Sequence, residues 1–135
     1  MKLRIKGNSL RLRLVRTEVE RLAAAGVVSD EVRFGPSIDQ VLRYSIAASD
    51  GVEEITVQFS DNQILVLLPE SVVMEWTGSD KVGLETSQLI DEDNSLSVLI
   101  EKDFVCIDRP DDPDRADAFP NPLLTCKGIE NEQAV

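Results

Sequence analysis

Leu3, Ile5, Leu10, Leu12 and Leu14 alternate with Lys2, Arg4, Lys6, Arg11 and Arg13 at the start of the chain. A period of two marks strands with one buried face. Gly7-Asn8 between the runs suits a tight turn. Residues 2–15 therefore predict a hairpin with leucines inward and bases outward. Thr17-Glu18-Val19-Glu20 has the form of a capping box, in which the Thr17 hydroxyl takes a free amide and Glu20 reaches back. Val19, Leu22 and Ala23 then share a face, and Gly26 suits a C-terminal stop. This predicts a short helix over 17–25.

Residues 30–34 and 40–47 predict two further strands, broken by Gly35-Pro36. Asp50-Gly51 reads as a hairpin turn into Ile55, Val57 and Phe59. Ser60-Asp61-Asn62 is a second turn. Ile64 to Leu68 is apolar without a break, as expected of a central strand or one covered on both faces. Pro69-Glu70-Ser71 opens a second short helix, with Val72, Val73 and Trp76 on one side and Gly78 after it. Val82 to Ile90 is the next predicted strand, Asp91 to Asn94 a turn, and a last strand runs from Leu96 towards Ile107. No internal repeat is evident in the residues.

The character changes at Asp108. Asp108, Asp111, Asp112, Asp114 and Asp117 share ten residues with Pro110 and Pro113, which excludes a strand or a helix interior. The organisation expected is one domain over 1–107 and an acidic, Pro-rich tail over 108–135, pinned to the domain by Phe119, Leu123 and Leu124. Strands joined by short turns, with two short helices inserted, give an α+β protein. Its sheet is expected to be mostly antiparallel, with about seven or eight strands, and strongly curled or a partial barrel.

Composition narrows the function classes. A chain of 135 residues with 42% hydrophobic positions suits one folded domain and is too apolar for a disordered chain. No stretch reaches the length of a membrane span, and the charged start lacks a signal-peptide core. A cytoplasmic protein without membrane contact is expected. The net charge of −11 disfavours nucleic acid as a partner. Its distribution says more. Lys2, Arg4, Lys6, Arg11, Arg13 and Arg16 meet no acid before Thr17, leaving 8 bases against 25 acids in the rest of the chain. Either the basic strands pair with acidic strands of their own sheet, or they form an anion-binding surface in an acidic protein.

The chain has no histidine. That removes Ser-His-Asp triads, Cys-His pairs and His-bearing zinc sites. Cys106 and Cys126 are too few for a structural zinc site. Inert thiols are expected, because Glu101, Asp103 and Asp108 make the surroundings of Cys106 negative and disfavour its thiolate. A disulfide between the two cysteines stays open if the chain doubles back. Five alternating cations, Lys2, Arg4, Lys6, Arg11 and Arg13, are the candidate anion site, since arginine forks suit phosphate and carboxylate oxygens. If the sheet curled around them, Glu53, Glu54, Glu85 and Glu101 would be available for a divalent metal and Lys102 would add a cation. Glu85 and Glu101 are the metal candidates singled out. The buried leucines between the cations argue instead for a solvent face. The acidic tail lacks the glycine and closing glutamate of an EF-hand loop, and Arg109 and Arg115 compete for its carboxylates. Trp76 between valines reads as core, or else as a binding anchor. Phe119-Pro120-Asn121-Pro122 is a docking element or a strap on its own domain.

Lys2-Leu3-Arg4-Ile5-Lys6-Gly7-Asn8-Ser9-Leu10-Arg11, the Val82-Gly83-Leu84-Glu85 strand, the Glu101-Lys102-Asp103-Phe104-Val105-Cys106 block and Phe119-Pro120-Asn121-Pro122 together resemble an uncharacterised family of small bacterial proteins. The resemblance spans nearly the whole chain. It implies a bacterial, cytosolic, single-domain protein of unassigned function and carries over no catalytic residue. The expectation that remains is a non-enzymatic module without cofactor, binding a protein partner or itself. Its rival is a phosphorylated-ligand binding protein or metal-dependent phosphohydrolase using the basic hairpin.

Overall fold

A computed structural model describes residues 1–104. The chain divides into two units, Met1–Lys102 and Asp103–Val135. The boundary expected after residue 107, both cysteines and the acidic tail with Phe119, Leu123 and Leu124 lie outside the described residues.

The described residues form β1 (Lys2–Lys6), β2 (Ser9–Leu14), α1 (Arg16–Ala25), β3 (Val27–Arg33), a 3-10 turn (Ile38–Gln40), β4 (Val41–Ser49), β5 (Thr56–Ser60), β6 (Gln63–Pro69), α2 (Glu70–Thr77), β7 (Gly83–Leu89) and β8 (Ser95–Lys102). The class is α+β, as expected, with two helices. The strands divide between two four-stranded sheets, ordered β1-β2-β8-β7 and β3-β4-β6-β5, and neither is a closed barrel. Hairpin partners run antiparallel, while the central pairs β2–β8 and β4–β6 are parallel. The Asp50-Gly51 reading is corrected by this pairing. β4 pairs β6 and not β5, so residues 50–62, with β5 among them, form a crossover connection. A parallel pair needs such a crossover, since a two-residue turn only joins antiparallel strands.

The two sheets follow one plan. β1-β2-α1-β3-β4 is repeated as β5-β6-α2-β7-β8, and each sheet takes one hairpin from each half. The parallel registers share one spacing: Ser9↔Ser97 and Arg43↔Gln63, where 63 − 9 and 97 − 43 both give 54. The β1–β2 and β5–β6 registers obey the same spacing, since Lys2↔Arg13 becomes Thr56↔Leu67. The core repeats with it: Leu12 with Val66, Leu14 with Leu68, Val19 with Val73, Leu22 with Trp76 and Ile46 with Ile100, all buried. This internal repeat is absent from the residue identities because only apolar pattern was retained. Burial selects hydrophobicity and rough size, not a particular side chain.

Local signals explain the elements. Gly7 turns the first hairpin at φ 56°, and Asp61 and Asn62 turn its counterpart at φ 52° and 60°, the left-handed pair of a tight two-residue hairpin. Gly26 ends α1 at φ 80° with its N–H on the Leu22 carbonyl at 2.9 Å. The capping residues are shifted by two from the Thr17–Glu20 expectation. Val15 is the cap, its N–H donating to Glu18 Oε1 at 2.9 Å. Val15 has no side-chain acceptor, so only the returning half of a box forms. β6 is central, and Ile64, Val66 and Leu68 are buried while Leu65 and Leu67 are half-buried. One face carries the core. Trp76 is 0% exposed and donates from Nε1 to the Val82 carbonyl at 3.2 Å, which settles it as core.

Candidate functional site

The outer face of the β1-β2-β8-β7 sheet is set by strand period and register. Leu10, Leu12 and Leu14 turn to the core with Val98, Ile100 and Leu84. Their neighbours must then point outward together. Three rows result: Lys2–Arg13–Glu101–Gly83, Arg4–Arg11–Leu99–Glu85, and Lys6–Ser9–Ser97–Ser87. All five predicted cations therefore share one face with both predicted carboxylates, three positive charges in excess.

Lys2, Arg4 and Lys6 are exposed, and Arg11, Arg13 and Glu101 half-buried. Arg13 Nε donates to Glu101 Oε1 at 2.6 Å, and Arg11 Nε lies 3.8 Å from the same oxygen. This is the cross-strand ion pair that the basic strands led one to expect. Glu101 sits on the strand next to β2, and its carboxylate orients both arginines. Such a pair, with side chains still 13–20% exposed, contributes at most about 1 kcal/mol.

Three predicted members are elsewhere. Glu53 and Glu54 lie on the β4–β5 connection of the other sheet. Lys102 shares the inward parity of Ile100, donates from Nζ to the Ser79 carbonyl at 2.8 Å and lies 5.4 Å from the Trp76 ring centre. It is a structural cation and not part of the basic face. Glu85 and Glu101 are diagonal neighbours on β7 and β8, with Glu101 engaged by Arg13. Among the described residues no three His, Cys, Asp or Glu side chains gather as a metal would need. No helix among them is long and apolar enough to cross a membrane.

The internal repeat supplies a control for this face. At the 54-residue spacing, Lys2, Arg4, Lys6, Arg11 and Arg13 correspond to Thr56, Gln58, Ser60, Leu65 and Leu67 on the other sheet, and Glu101 corresponds to Ala47. The fold is thus built equally well without cations at these positions. Their presence on one sheet only is a property of the surface, not a requirement of the hairpin.

Two features escaped sequence reasoning. Gln88 on β7 bridges the sheets: the Val57 N–H donates to its Oε1 at 2.7 Å, and its Nε2 donates to the Val57 carbonyl at 3.0 Å. The amide thus closes part of the β5 edge. The second is Met1, whose ammonium binds Glu18, and Asp30 at 3.2 Å, while Tyr44 lies over its carbonyl with a long O–H contact of 3.4 Å. Burial opposes that charge, but Glu18 and Asp30 raise its pKa above the ordinary 8.0. The Glu31 N–H and the Met1 ammonium together lower that of Asp30. No sequence signal marks either contact, since both join residues remote along the chain.

Residues 1–123 match the model of a family of unknown function (DUF7009), and the chain belongs to that family. No curated protein and no solved structure matches it.

Proposed function

For this member of a family without an assigned activity, we propose a non-enzymatic binding module whose basic sheet face takes an acidic protein partner. One observation carries the reading: Lys2, Arg4, Lys6, Arg11 and Arg13 stand on a single outer sheet face, Arg11 and Arg13 oriented by Glu101, where the corresponding positions of the other sheet are Thr56, Gln58, Ser60, Leu65 and Leu67. A sheet face spreads charge over a surface, which suits a macromolecular partner. Phosphate hydrolysis would want the glutamates and Lys102 gathered among the cations, and Glu53, Glu54 and Lys102 stand apart from them. Sparse positive charge on an acidic protein also favours selectivity, because a weakly acidic surface is repelled by the remainder of the molecule.

Calorimetric titration with polyglutamate tests the reading. Binding is expected at low salt and is to weaken steeply as ionic strength rises. R11Q/R13Q should abolish it with little loss of stability. Glu101→Gln should strengthen it by up to about fivefold, the equivalent of ~1 kcal/mol released from the internal pair. Absence of binding at low salt, or binding indifferent to R11Q/R13Q, refutes the proposal.

A further inference from the structure

β1 is an edge strand, and its two sides differ in chemistry. Lys2, Arg4 and Lys6 point outward, while Leu3 and Ile5 point inward. The hairpin closes at Lys6↔Ser9, so alternation of bonded and non-bonded pairs turns the N–H and C=O groups of Leu3 and Ile5 away from β2, towards the edge. The counterpart edge on β5 verifies this geometry. Val57 corresponds to Leu3, and its N–H and C=O are the groups that Gln88 binds.

The two edges are finished differently. The β3 register against β4 is offset by two residues from that of β7 against β8, so Val32 takes the place of Gln88. Valine has neither donor nor acceptor with which to close an edge. β3 does lie beside β1, because Asp30 binds the Met1 ammonium. Further along both strands the exposed side chains are apolar: Ile5 is 59% exposed, Val32 41% and Phe34 72%. Natural edges are blunted by lysines, plugs or covering loops. Among the described residues Val32 supplies no such plug, and Lys2, Arg4 and Lys6 stand on the outer face.

Resting on the binding-module reading, we propose that the partner adds a β-strand to the β1 edge, and that this strand alternates acidic and apolar residues. Its backbone pairs with Leu3 and Ile5. Its acidic residues fall beside Lys2, Arg4 and Lys6, spaced by two residues as the cations are, about 6.8 Å. Its apolar residues fall beside Ile5, Val32 and Phe34. Main-chain bonds supply affinity and alternate side chains supply specificity, the general logic of strand addition.

The test uses the full chain and fluorescence anisotropy with three labelled peptides of about nine residues, within the usual strand length. One alternates Glu and Val, one has the same composition in blocks, and one alternates but is N-methylated at every amide facing β1. The alternating peptide is expected to bind, the methylated one to bind at least about tenfold more weakly through loss of two or more hydrogen bonds, and the block peptide to be similarly weakened. Binding should slow hydrogen exchange at the Leu3 and Ile5 amides. Ile5→Pro, which removes an edge donor outside the β1–β2 ladder, should lose the alternating peptide while still binding polyglutamate. Equal binding of all three peptides, or unchanged exchange at Leu3 and Ile5, overturns strand addition and leaves the basic-face reading standing. Failure of polyglutamate and all peptides alike overturns both.

Discussion

Gln88 holds the edge of one sheet against the face of the other, and Gln88→Met isolates what its amide does. Methionine matches glutamine in length and flexibility, so packing is largely kept while both hydrogen bonds go. The bonds are short, 2.7 and 3.0 Å, and partly buried. Each contributes about 0.5–1.5 kcal/mol net, and the Val57 N–H and C=O are left facing an apolar side chain. The expected loss is about 1–3 kcal/mol, or roughly 4–15 °C in Tm for a unit of this size. Gln88→Glu is the sharper companion. Its carboxylate still accepts from the Val57 N–H but faces the Val57 carbonyl with a second acceptor, so it should recover less than half of the loss. Thermal unfolding followed by circular dichroism measures both variants. Hydrogen exchange at the Val57 amide should accelerate in Gln88→Met. A Tm within about 1 °C of the parent, smaller than any loss expected from two such bonds, together with unchanged exchange at Val57, would refute the assignment of Gln88 as the clamp between sheets.

Trp76→Leu should destabilise by about 2–5 kcal/mol through lost volume in a fully buried site, while the Val82 carbonyl keeps its bond from the Lys102 N–H. The chain has one tryptophan, so urea unfolding must be followed by circular dichroism, and a loss below about 1 kcal/mol would contradict the core assignment. On the alkaline side, the Met1 ammonium holds its proton more tightly in the folded than in the unfolded chain. Its contribution is therefore complete below the ordinary 8.0 and disappears as pH rises through the raised folded value. Tm should fall above that point, and Asp30→Asn should flatten the fall, whereas equal slopes in parent and variant would contradict the linkage. Tyr44, pushed above its ordinary 10.0 by burial and by Asp30 and Glu18, acts in the same direction only at higher pH.

Period two and turn chemistry made much of this molecule legible in one dimension. The Lys2–Leu14 hairpin, the Asp61-Asn62 turn, both helices and the central place of β6 follow from local pattern, because the side chains involved answer to neighbours two to four residues away. The same alternation placed all five cations on one side of the first hairpin. It also made Trp76 readable as core, from its valine neighbours on the second helix.

What lay beyond it depended on partners remote in sequence. Local pattern does not say which hairpin joins which, so it predicts one mostly antiparallel sheet where there are two with parallel centres, and a hairpin turn at Asp50-Gly51. The repeat was hidden because burial conserves hydrophobicity without identity. The pairing of Arg13 with Glu101 needs β2 to lie beside β8, and the Gln88 clamp needs β7 to lie beside β5. Alternation by itself determined which residues share a face. Only the tertiary structure decided which strands are neighbours, because strand pairing is a choice among distant segments whose local patterns are equally good.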